Sequence, residues 1–157
     1  MIKIKDLTYS YNGTPVIANL SFSFLSSKIY MITGENGSGK TTLLRIILGI
    51  LKPKSGYIQF EEKAVISYLP DHNGLYEDLS ITDNIKFRLA LYKQSFNAIQ
   101  NEYYSLLNRY HLYDKKDEPI SSLSLGMKKK AAIIATILVN ANVYVFDEPT
   151  GGVDHEA

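Results

Sequence analysis

The sequence predicts an α/β fold with an N-terminal antiparallel β subdomain and a helical insertion, and three observations support that prediction. From Ile2 to Phe24, apolar and polar residues alternate, as they do in half-buried strands. Between Ile81 and Tyr110 the apolar residues recur at helical spacing, which indicates amphipathic helices. A short apolar run, Val143 to Phe146, then indicates a returning strand.

Composition narrows the class of protein. The chain has 157 residues and a formal net charge of +1, which allows one domain with a core and gives no basic excess to favour nucleic acid. It contains no cysteine, which excludes disulfides and thiolate metal sites. No apolar stretch approaches the roughly 20 residues of a membrane span. We therefore expect a cytoplasmic chain that does not bind nucleic acid.

The first half of the chain is expected to form mainly strands. Asn12-Gly13 is a hairpin turn signal between the first two of them. Ile29 to Ile32 is a short apolar run, typical of a buried strand. Thr41 to Leu51 is rich in Leu and Ile and predicts the first helix. Two further strands are expected after it, Tyr57 to Phe60 and Ala64 to Leu69.

Three helices are expected in the second half. Ser80-Ile81-Thr82-Asp83 resembles a capping box at a helix start. Two helical faces follow, the first formed by Ile81, Ile85, Leu89 and Tyr92 and the second by Ile99, Tyr103, Leu106, Leu107 and Tyr110. A third helix is predicted from about Lys128 to Val139. We interpret the aromatic residues of the first two helices as packing surface without chemistry of its own.

The segment from Gly34 to Thr41 has the sequence G-E-N-G-S-G-K-T and matches the phosphate-binding pattern G-x-x-x-x-G-K-[ST]. Its glycines allow successive backbone N–H groups to converge on a phosphate. Lys40 adds a cation that can reach the outer phosphates, and the Thr41 hydroxyl suits Mg²⁺, which prefers hard oxygen ligands. The helix N-terminus that follows also favours an anion. This loop therefore predicts nucleotide-phosphate binding.

Two carboxylates, Asp147 and Glu148, follow the returning strand. An acidic residue at a strand end can lie beside a phosphate loop at the same sheet edge, where it supports Mg²⁺. Asp147 is the candidate for that role, and Glu148 could polarise an attacking water. Without the phosphate loop, this pair would be more typical of two solvated carboxylates; with the loop, a second part of a nucleotide site is favoured.

With these motifs in order, the sequence resembles the ATP-binding subunit of an ABC (ATP-binding cassette) transporter from about Ile2 to Ala157. Gly34 to Thr41 resembles the family's phosphate loop, Val143 to Glu148 its Mg²⁺ strand, and Leu123 to Met127 its signature motif. Gly151-Gly152-Val153-Asp154 resembles the short segment that touches the partner subunit. The resemblance implies a P-loop nucleoside triphosphate hydrolase fold.

The resemblance also implies two cofactors, ATP and Mg²⁺, and a set of site residues. Tyr11 would stack on adenine, a place for which the nearby Tyr9 could compete. Thr41 and Asp147 would be Mg²⁺ ligands, and Glu148 would be the catalytic residue. The residues expected to bind ATP are Tyr11, Asn36, Gly37, Ser38, Gly39, Lys40, Thr41, Thr42, Ser124 and Gly126.

Two partners are implied by the family's mechanism. Two ATP-binding subunits face each other head to tail, with ATP between the phosphate loop of one and the signature motif of the other. Ser124 and the helix N–H groups would meet the γ-phosphate, and Gly126 would permit close approach. The second partner is a membrane permease, which would place this chain at the inner face of the cell membrane. The second ATP-binding subunit could be identical or different.

The sequence departs from the commonest family pattern in its signature and in the loop after Leu69. Leu125 and Met127 replace Gly and Gln, and L-S-L-G-M resembles the variant of export-type members, so export is expected. Asp71 stands where the family usually has Gln. It offers oxygens but no amide donor, and we assign it no catalytic role.

The sequence ends nine residues after Glu148, before the point where the family has its catalytic switch histidine. We interpret His155 as a loop histidine, and His72 and His111 as surface residues without a ligand role. One incomplete ATP-binding domain is therefore expected. Its nucleotide-binding core would comprise residues 1–70 and 140–157, and its helical subdomain, with the signature motif, residues 71–139.

Such an incomplete domain is expected to expose a sheet edge, to be less stable than a complete one, and to retain ATP binding better than turnover. Whether it hydrolyses ATP stays open. Two alternatives to a transporter subunit also stay open: a truncated, binding-only or vestigial ABC protein with little turnover, and a soluble ABC ATPase outside transport. The run Lys128 to Lys130 is interpreted as a solvated helix face, because one short run supplies few phosphate contacts for nucleic acid.

Overall fold

The structure is a computed structural model that describes residues 1–61 and 63–149. The chain divides into two compact units, Met1–Ala64 and Val65–Ala157. The first unit contains β1 (Ile2–Tyr11), β2 (Thr14–Phe24), α1 (Lys40–Ile47) and β3 (Ser55–Phe60). The second contains β4 (Ile66–Leu69), α2 (Ile81–Leu91), α3 (Phe96–Arg109), α4 (Leu125–Ile137) and β5 (Val143–Phe146). Two short 3₁₀ turns, Tyr113–Lys115 and Ile120–Ser122, lie between α3 and α4.

The first unit is an antiparallel sheet with the strand order β2-β1-β3. Asn12 and Gly13 join β1 to β2 with φ angles of 46° and 88°, the left-handed conformation that a tight hairpin turn of this kind requires. Apolar residues of β1 and β2 pack against α1 in a core formed by Ile4, Leu7, Ile17, Ile46 and Ile47. The predicted antiparallel β-rich opening is confirmed.

Helix α1 ends before the predicted Leu51. Gly49 takes a φ of 74°, and its N–H donates to the carbonyl oxygen of Ile46 at 3.0 Å. The N–H of Ile50 donates to the carbonyl oxygen of Arg45 at 2.9 Å. This left-handed glycine cap satisfies the last carbonyl groups and stops the helix.

The prediction of a buried strand at Ile29 to Ile32 is wrong. The segment forms no strand, and the side chains of Ile29 and Met31 are 101% and 85% exposed. A strand needs the backbone of a neighbour to pair with, and none of the strands in the described ranges pairs with these residues. Tyr30 is held instead by its side chain, because its hydroxyl accepts from the N–H of Leu25 at 2.9 Å.

In the second unit, three helices share one core and two short strands pair in parallel. The register of β4 with β5 runs from Ile66 opposite Val143 to Leu69 opposite Phe146. Helices α2, α3 and α4 bury a common set of residues, among them Ile81, Ile85, Leu89, Tyr103, Leu107, Ile134 and Leu138. The three predicted helices and the returning strand are confirmed, although α4 begins at Leu125 rather than at about Lys128.

Ser80 forms the N-cap part of the capping box that was predicted at the start of α2. The N–H of Asp83 donates to Ser80 Oγ at 3.0 Å, and Ser80 Oγ donates to Asp83 Oδ2 at 2.8 Å. One otherwise unpaired donor of the first turn is thereby satisfied by the Ser80 side chain.

Some sequence predictions lie outside the described residues. They include those for Gly151-Gly152-Val153-Asp154 and for His155. Within residues 1–61 and 63–149, no helix is both long enough and apolar enough to cross a membrane.

Candidate functional site

The phosphate loop of the first unit leads directly into α1. Gly39 is the N-cap residue with a φ of 95°, no side chain caps the helix start, and its first turn holds no acidic residue. The first helical bond runs from the N–H of Leu43 to the carbonyl oxygen of Gly39 at 2.8 Å. A helix start of this kind presents backbone N–H groups and a partial positive charge to an incoming anion.

Two glycines of the loop allow this shape for a steric reason. A Cβ atom at Gly39 would lie 2.8 Å from Cγ1 of Val16, and one at Gly34 would lie 2.7 Å from Oγ of Ser38. Gly37 has a φ of 80° and open space where its Cβ would be. Larger residues would therefore crowd the base of the loop or strain its rim.

Lys40 is engaged within the loop itself. Its Nζ donates to the carbonyl oxygens of Gly34 at 2.8 Å and of Glu35 at 2.9 Å. Both acceptors are neutral, and an anionic oxygen in their place would give Lys40 a stronger, charge-assisted hydrogen bond. The neighbouring predicted residues differ in exposure: Asn36, Gly37 and Ser38 are exposed, whereas Thr42 is buried.

Tyr11 and Tyr9 occupy different environments at the end of β1. Tyr11 is 42% exposed, and its ring meets that of Tyr9 edge-on, with centroids 4.9 Å apart. Tyr9 packs against the core of the first unit. Of the two candidates for stacking on a base, Tyr11 therefore has the more accessible ring.

The second unit carries the two carboxylates at the end of β5. Asp147 is buried, and its backbone N–H donates to the carbonyl oxygen of Leu69 at 2.9 Å, which extends the pairing of β5 with β4. Glu148 is exposed and has a φ of 49°. A non-glycine residue in this left-handed region is uncommon.

The signature residues lie at the start of α4. Ser124 is the N-cap residue, and its Oγ accepts from the N–H of Met127 at 3.3 Å. Open space surrounds the position where Gly126 would carry a Cβ. Leu125, between them, is 73% exposed. The helix start therefore presents a serine, an accessible backbone and an apolar side chain.

The loop after β4 is tied to α4 by contacts that sequence reasoning missed. Lys129 is buried, with Nζ 3.4 Å from the carbonyl oxygen of Asp71, so the interpretation of Lys128 to Lys130 as a solvated face is wrong for this residue. Lys128 pairs with Glu77 at 2.6 Å. Because these partners are far apart in the sequence, no local pattern indicates them. Asp71 also accepts from the backbone N–H of His72 at 2.8 Å.

The predicted Mg²⁺ ligands are a hydroxyl and a carboxylate, Thr41 in the first unit and Asp147 in the second. No group of three His, Cys, Asp or Glu residues that could hold a metal occurs among the described residues. Mg²⁺ does not require one, because it usually keeps several waters and binds one or two protein ligands together with phosphate oxygens. Thr41 and Asp147 each offer an oxygen donor, the type of ligand that Mg²⁺ prefers.

Comparison with known proteins identifies relatives over nearly the whole chain. This chain is 33% identical to the zinc import ATP-binding protein ZnuC of Buchnera aphidicola subsp. Baizongia pistaciae, and the match covers 98% of this chain and 62% of that protein. This chain is also 30% identical to the SkfA peptide export ATP-binding protein SkfE of Bacillus subtilis (strain 168), and that match covers 98% of this chain and 68% of SkfE. The chain spans less than two thirds of the length of several curated relatives that it matches.

The fold is also that of a solved family member. The structure of an ATP binding subunit of an ABC transporter superposes with a TM-score of 0.88 at 25% identity, covering 97% of this chain and 68% of that one. The fold is thus the P-loop fold of ABC ATPase domains, as predicted. The model of the family described as ABC transporter matches residues 17–151. The chain belongs to the ABC transporter family.

Proposed function

We propose that this chain binds MgATP as part of the ATP-binding subunit of an ABC transporter. The observation that carries the proposal is the start of α1, where no side chain caps the helix and Lys40 donates to two carbonyl oxygens of its own loop. Such a start presents backbone N–H groups to an anion, and Gly37 leaves open space in the loop. Membership of the ABC transporter family supports ATP as the source of that anion.

Each predicted residue has a role in this proposal. The loop Asn36-Gly37-Ser38-Gly39 would offer backbone N–H groups to the phosphates, and Lys40 would neutralise the outer ones. Tyr11 would stack on adenine. Thr41 and Asp147 would hold Mg²⁺, which supplies charge neutralisation on the phosphate oxygens, and Thr42 would support the loop from its buried position.

The proposal also covers ATP hydrolysis and assembly with the partner subunits. Glu148 would polarise the attacking water, and Ser124 with Gly126 would meet the γ-phosphate held by a second ATP-binding subunit. A membrane permease would hold the pair at the inner face of the membrane. We also propose residues 71–139 as a helical subdomain, and residues 1–70 and 140–157 as the nucleotide-binding core. The shared core of α2, α3 and α4 supports the first of these.

A thermal unfolding assay tests the binding proposal. Ligand at 100 times its Kd is expected to stabilise the folded chain by about 2.7 kcal/mol, which should raise the melting temperature with Mg²⁺ and ATP present. Lys40→Ala should remove this shift, whereas Lys52→Ala, at an exposed lysine outside the loop, should keep it. An absent shift in the wild type, or an equal shift in Lys40→Ala, would refute the proposal.

ATP hydrolysis is a separate part of the proposal and has its own test. If Glu148 polarises the water, Glu148→Gln should abolish the release of phosphate while the thermal shift with MgATP persists. Phosphate release by the wild type that is unchanged in Glu148→Gln would refute this role. A thermal shift without any release in the wild type would instead favour a binding-only protein.

We propose export as the direction of transport, on the basis of the signature L-S-L-G-M. A matched peptide export protein supports this direction, while a matched zinc import protein stands against it. The complete transporter in vesicles, with its ATP-binding subunits facing outward, should accumulate labelled peptides when ATP is added. Accumulation of Zn²⁺ only in vesicles of the opposite orientation would overturn the proposal.

A further inference from the structure

Lys129 is a charged side chain of α4 that the second unit covers almost completely, since it is only 6% exposed. Its Nζ donates to the carbonyl oxygen of Asp71 at 3.4 Å, which is a long hydrogen bond to a neutral acceptor. In the part of the chain that the structure describes, no ion pair includes Lys129. Because burying an ammonium group without an opposite charge is costly, a source of negative charge is expected near Lys129.

Three carboxylates follow the carboxyl ends of β4 and β5. The two strands are parallel and paired up to their last residues, so their carboxyl ends lie side by side. Asp71 comes two residues after β4, and Asp147 and Glu148 come directly after β5. We call Asp71, Asp147 and Glu148 the carboxylate edge.

Lys129 and Asp147 are both bound to the short segment that leaves β4. The backbone N–H of Asp147 donates to the carbonyl oxygen of Leu69, and Lys129 donates to that of Asp71. The carbonyl carbons of two residues at this spacing lie at most about 7 Å apart along an extended chain. Asp147 is itself only 5% exposed. A buried cation and a buried acidic residue therefore share one segment of the second unit.

We infer that Lys129 is the internal counter-cation of the carboxylate edge: its ammonium balances these carboxylates while no divalent ion is bound, and it keeps free Mg²⁺ out until a nucleotide accompanies the ion. The inference rests on the proposed function for the role of Asp147 as a Mg²⁺ ligand. A fixed ammonium and a divalent ion compete for the same negative charge, so the presence of one lowers the affinity for the other. Phosphate oxygens add ligands for Mg²⁺ and thereby favour the divalent ion. Lys129 is thus a positioning residue that acts on the metal through the carboxylates.

Binding of Mn²⁺ in the absence of nucleotide tests the inference. Mn²⁺ has the charge of Mg²⁺ and suits the same oxygen ligands, and electron paramagnetic resonance measures its free concentration. Lys129→Met should bind Mn²⁺ roughly tenfold or more tightly than the wild type, because its carboxylates lack their cation. The assay is run at pH 8, because the ring of His72, 2.9 Å from Asp71 Oδ1, is a second cation when protonated. Equal affinities in the two chains would overturn the inference.

Two further lysine variants assign the effect to the charge at position 129. Lys129→Arg keeps a cation there and should bind Mn²⁺ as weakly as the wild type. Lys130→Met removes the same charge one residue along α4, where the side chain is partly exposed, and should also behave like the wild type. Tight binding of Mn²⁺ by Lys129→Arg or by Lys130→Met would overturn the inference, because the gain would then not depend on a cation at this position.

The place of the gained Mn²⁺ site is tested in the Lys129→Met background. Adding Asp147→Asn should remove the gain in affinity. Adding Asp114→Asn, at an exposed residue outside the carboxylate edge, should keep it. A gain that persists with Asp147→Asn would place the ion elsewhere and overturn the inference.

Stability gives an independent measurement on the same variants. If Lys129 balances the carboxylates, Lys129→Met should lower the urea midpoint, and Mn²⁺ should restore part of the loss. A buried lysine that balanced nothing would give an unchanged or higher midpoint, since its removal would relieve the cost of burying a charge, and that result would overturn the inference. If circular dichroism shows that Lys129→Met does not fold, Lys129→Gln takes its place in the Mn²⁺ assay, where an affinity equal to that of the wild type would overturn the inference.

The MgATP thermal shift of the wild type separates this inference from the proposed function. A normal shift with no gain of Mn²⁺ binding in Lys129→Met refutes the role of Lys129 alone. A gain of Mn²⁺ binding that depends on Asp147, without any MgATP shift in the wild type, refutes ATP binding and supports the role of Lys129.

Discussion

Glu77 and Lys128 form an ion pair of 2.6 Å that joins the loop before α2 to the start of α4. The Lys128 side chain is only 16% exposed, whereas that of Glu77 is 56% exposed. The first turn of α4 contains no acidic residue, and the lysines at its start oppose the helix dipole. Glu77 therefore supplies, from another segment, the negative charge that this helix start lacks.

A double-mutant cycle on Glu77 and Lys128 should find them coupled. We expect Glu77→Gln and Lys128→Met to have a coupling energy near the upper end of the roughly 0.2–1 kcal/mol typical of surface pairs, because Lys128 is largely covered. Denaturant unfolding of the two single variants and the double variant measures it. The Lys115–Glu118 pair, with both side chains about equally exposed, is the control and should couple less. Additive effects of Glu77→Gln and Lys128→Met would contradict the prediction.

Gly39→Ala should destabilise the chain more than Gly49→Ala. Both glycines have a positive φ, 95° and 74°, so both variants share a left-handed strain of about 1–2 kcal/mol. Only at Gly39 would the new methyl group also press on Val16, whereas nothing lies near it at Gly49. Urea midpoints measure the difference. An equal loss of stability in the two variants would contradict the prediction, because it would show that the structure removes the clash with Val16 at no cost in free energy.

Ser80→Ala should cost about 1 kcal/mol of stability, the usual effect of losing an N-cap hydrogen bond. Its Oγ accepts from the N–H of Asp83 at the start of α2. Ser95 is the matched control, because it occupies the N-cap of α3 without a side-chain hydrogen bond. Ser95→Ala should therefore change the free energy of unfolding much less, and a similar cost for both variants would contradict the assignment.

Stability should fall between about pH 10 and pH 12 because of Tyr103. Burial raises the pKa of Tyr103 from 10.0 to about 12, against a hydrogen bond with Thr82 that lowers it. In that pH range the unfolded chain has released the Tyr103 proton and the folded chain retains it. The stabilisation is thus complete below pH 10 and is lost as the pH rises through the folded value.

Denaturant unfolding at pH 9 and at a series of higher values measures this dependence. Tyr103→Phe should flatten it, while Tyr110→Phe, at a partly exposed ring, should leave it unchanged. The same slope in wild type and Tyr103→Phe would assign the loss to other groups.

Local sequence patterns correctly predicted the turn, the helix face and the helix cap that depend on residues only a few positions apart. Asn12 and Gly13 form the hairpin turn because their own backbone preferences suit left-handed angles. Ile81, Ile85 and Leu89 are buried because their spacing places them on one face of α2. Ser80 caps that helix through an atom only three residues away.

Local sequence patterns did not predict the contacts between residues that are distant in the sequence. The apolar run Ile29 to Ile32 has the composition of a strand, but a strand forms only where another backbone pairs with it. Lys129 lies in a run of lysines typical of a solvated face, yet the folded loop after β4 covers it. Arg88 gave no signal in the sequence, because its burial depends on Thr136 and Tyr68, which lie on other elements.

The sequence by itself determined the phosphate loop, the helix faces and the family, because each depends on residue types at short, regular spacing. Only the tertiary structure decided which charges are covered and which are left without a counter-charge. Among the described residues, Lys128 pairs with Glu77, whereas Arg88 donates to the neutral oxygens of Thr136 and Tyr68. The physical reason is that burial and charge pairing depend on which distant segments the folded chain brings into contact, and short-range spacing carries no information about that.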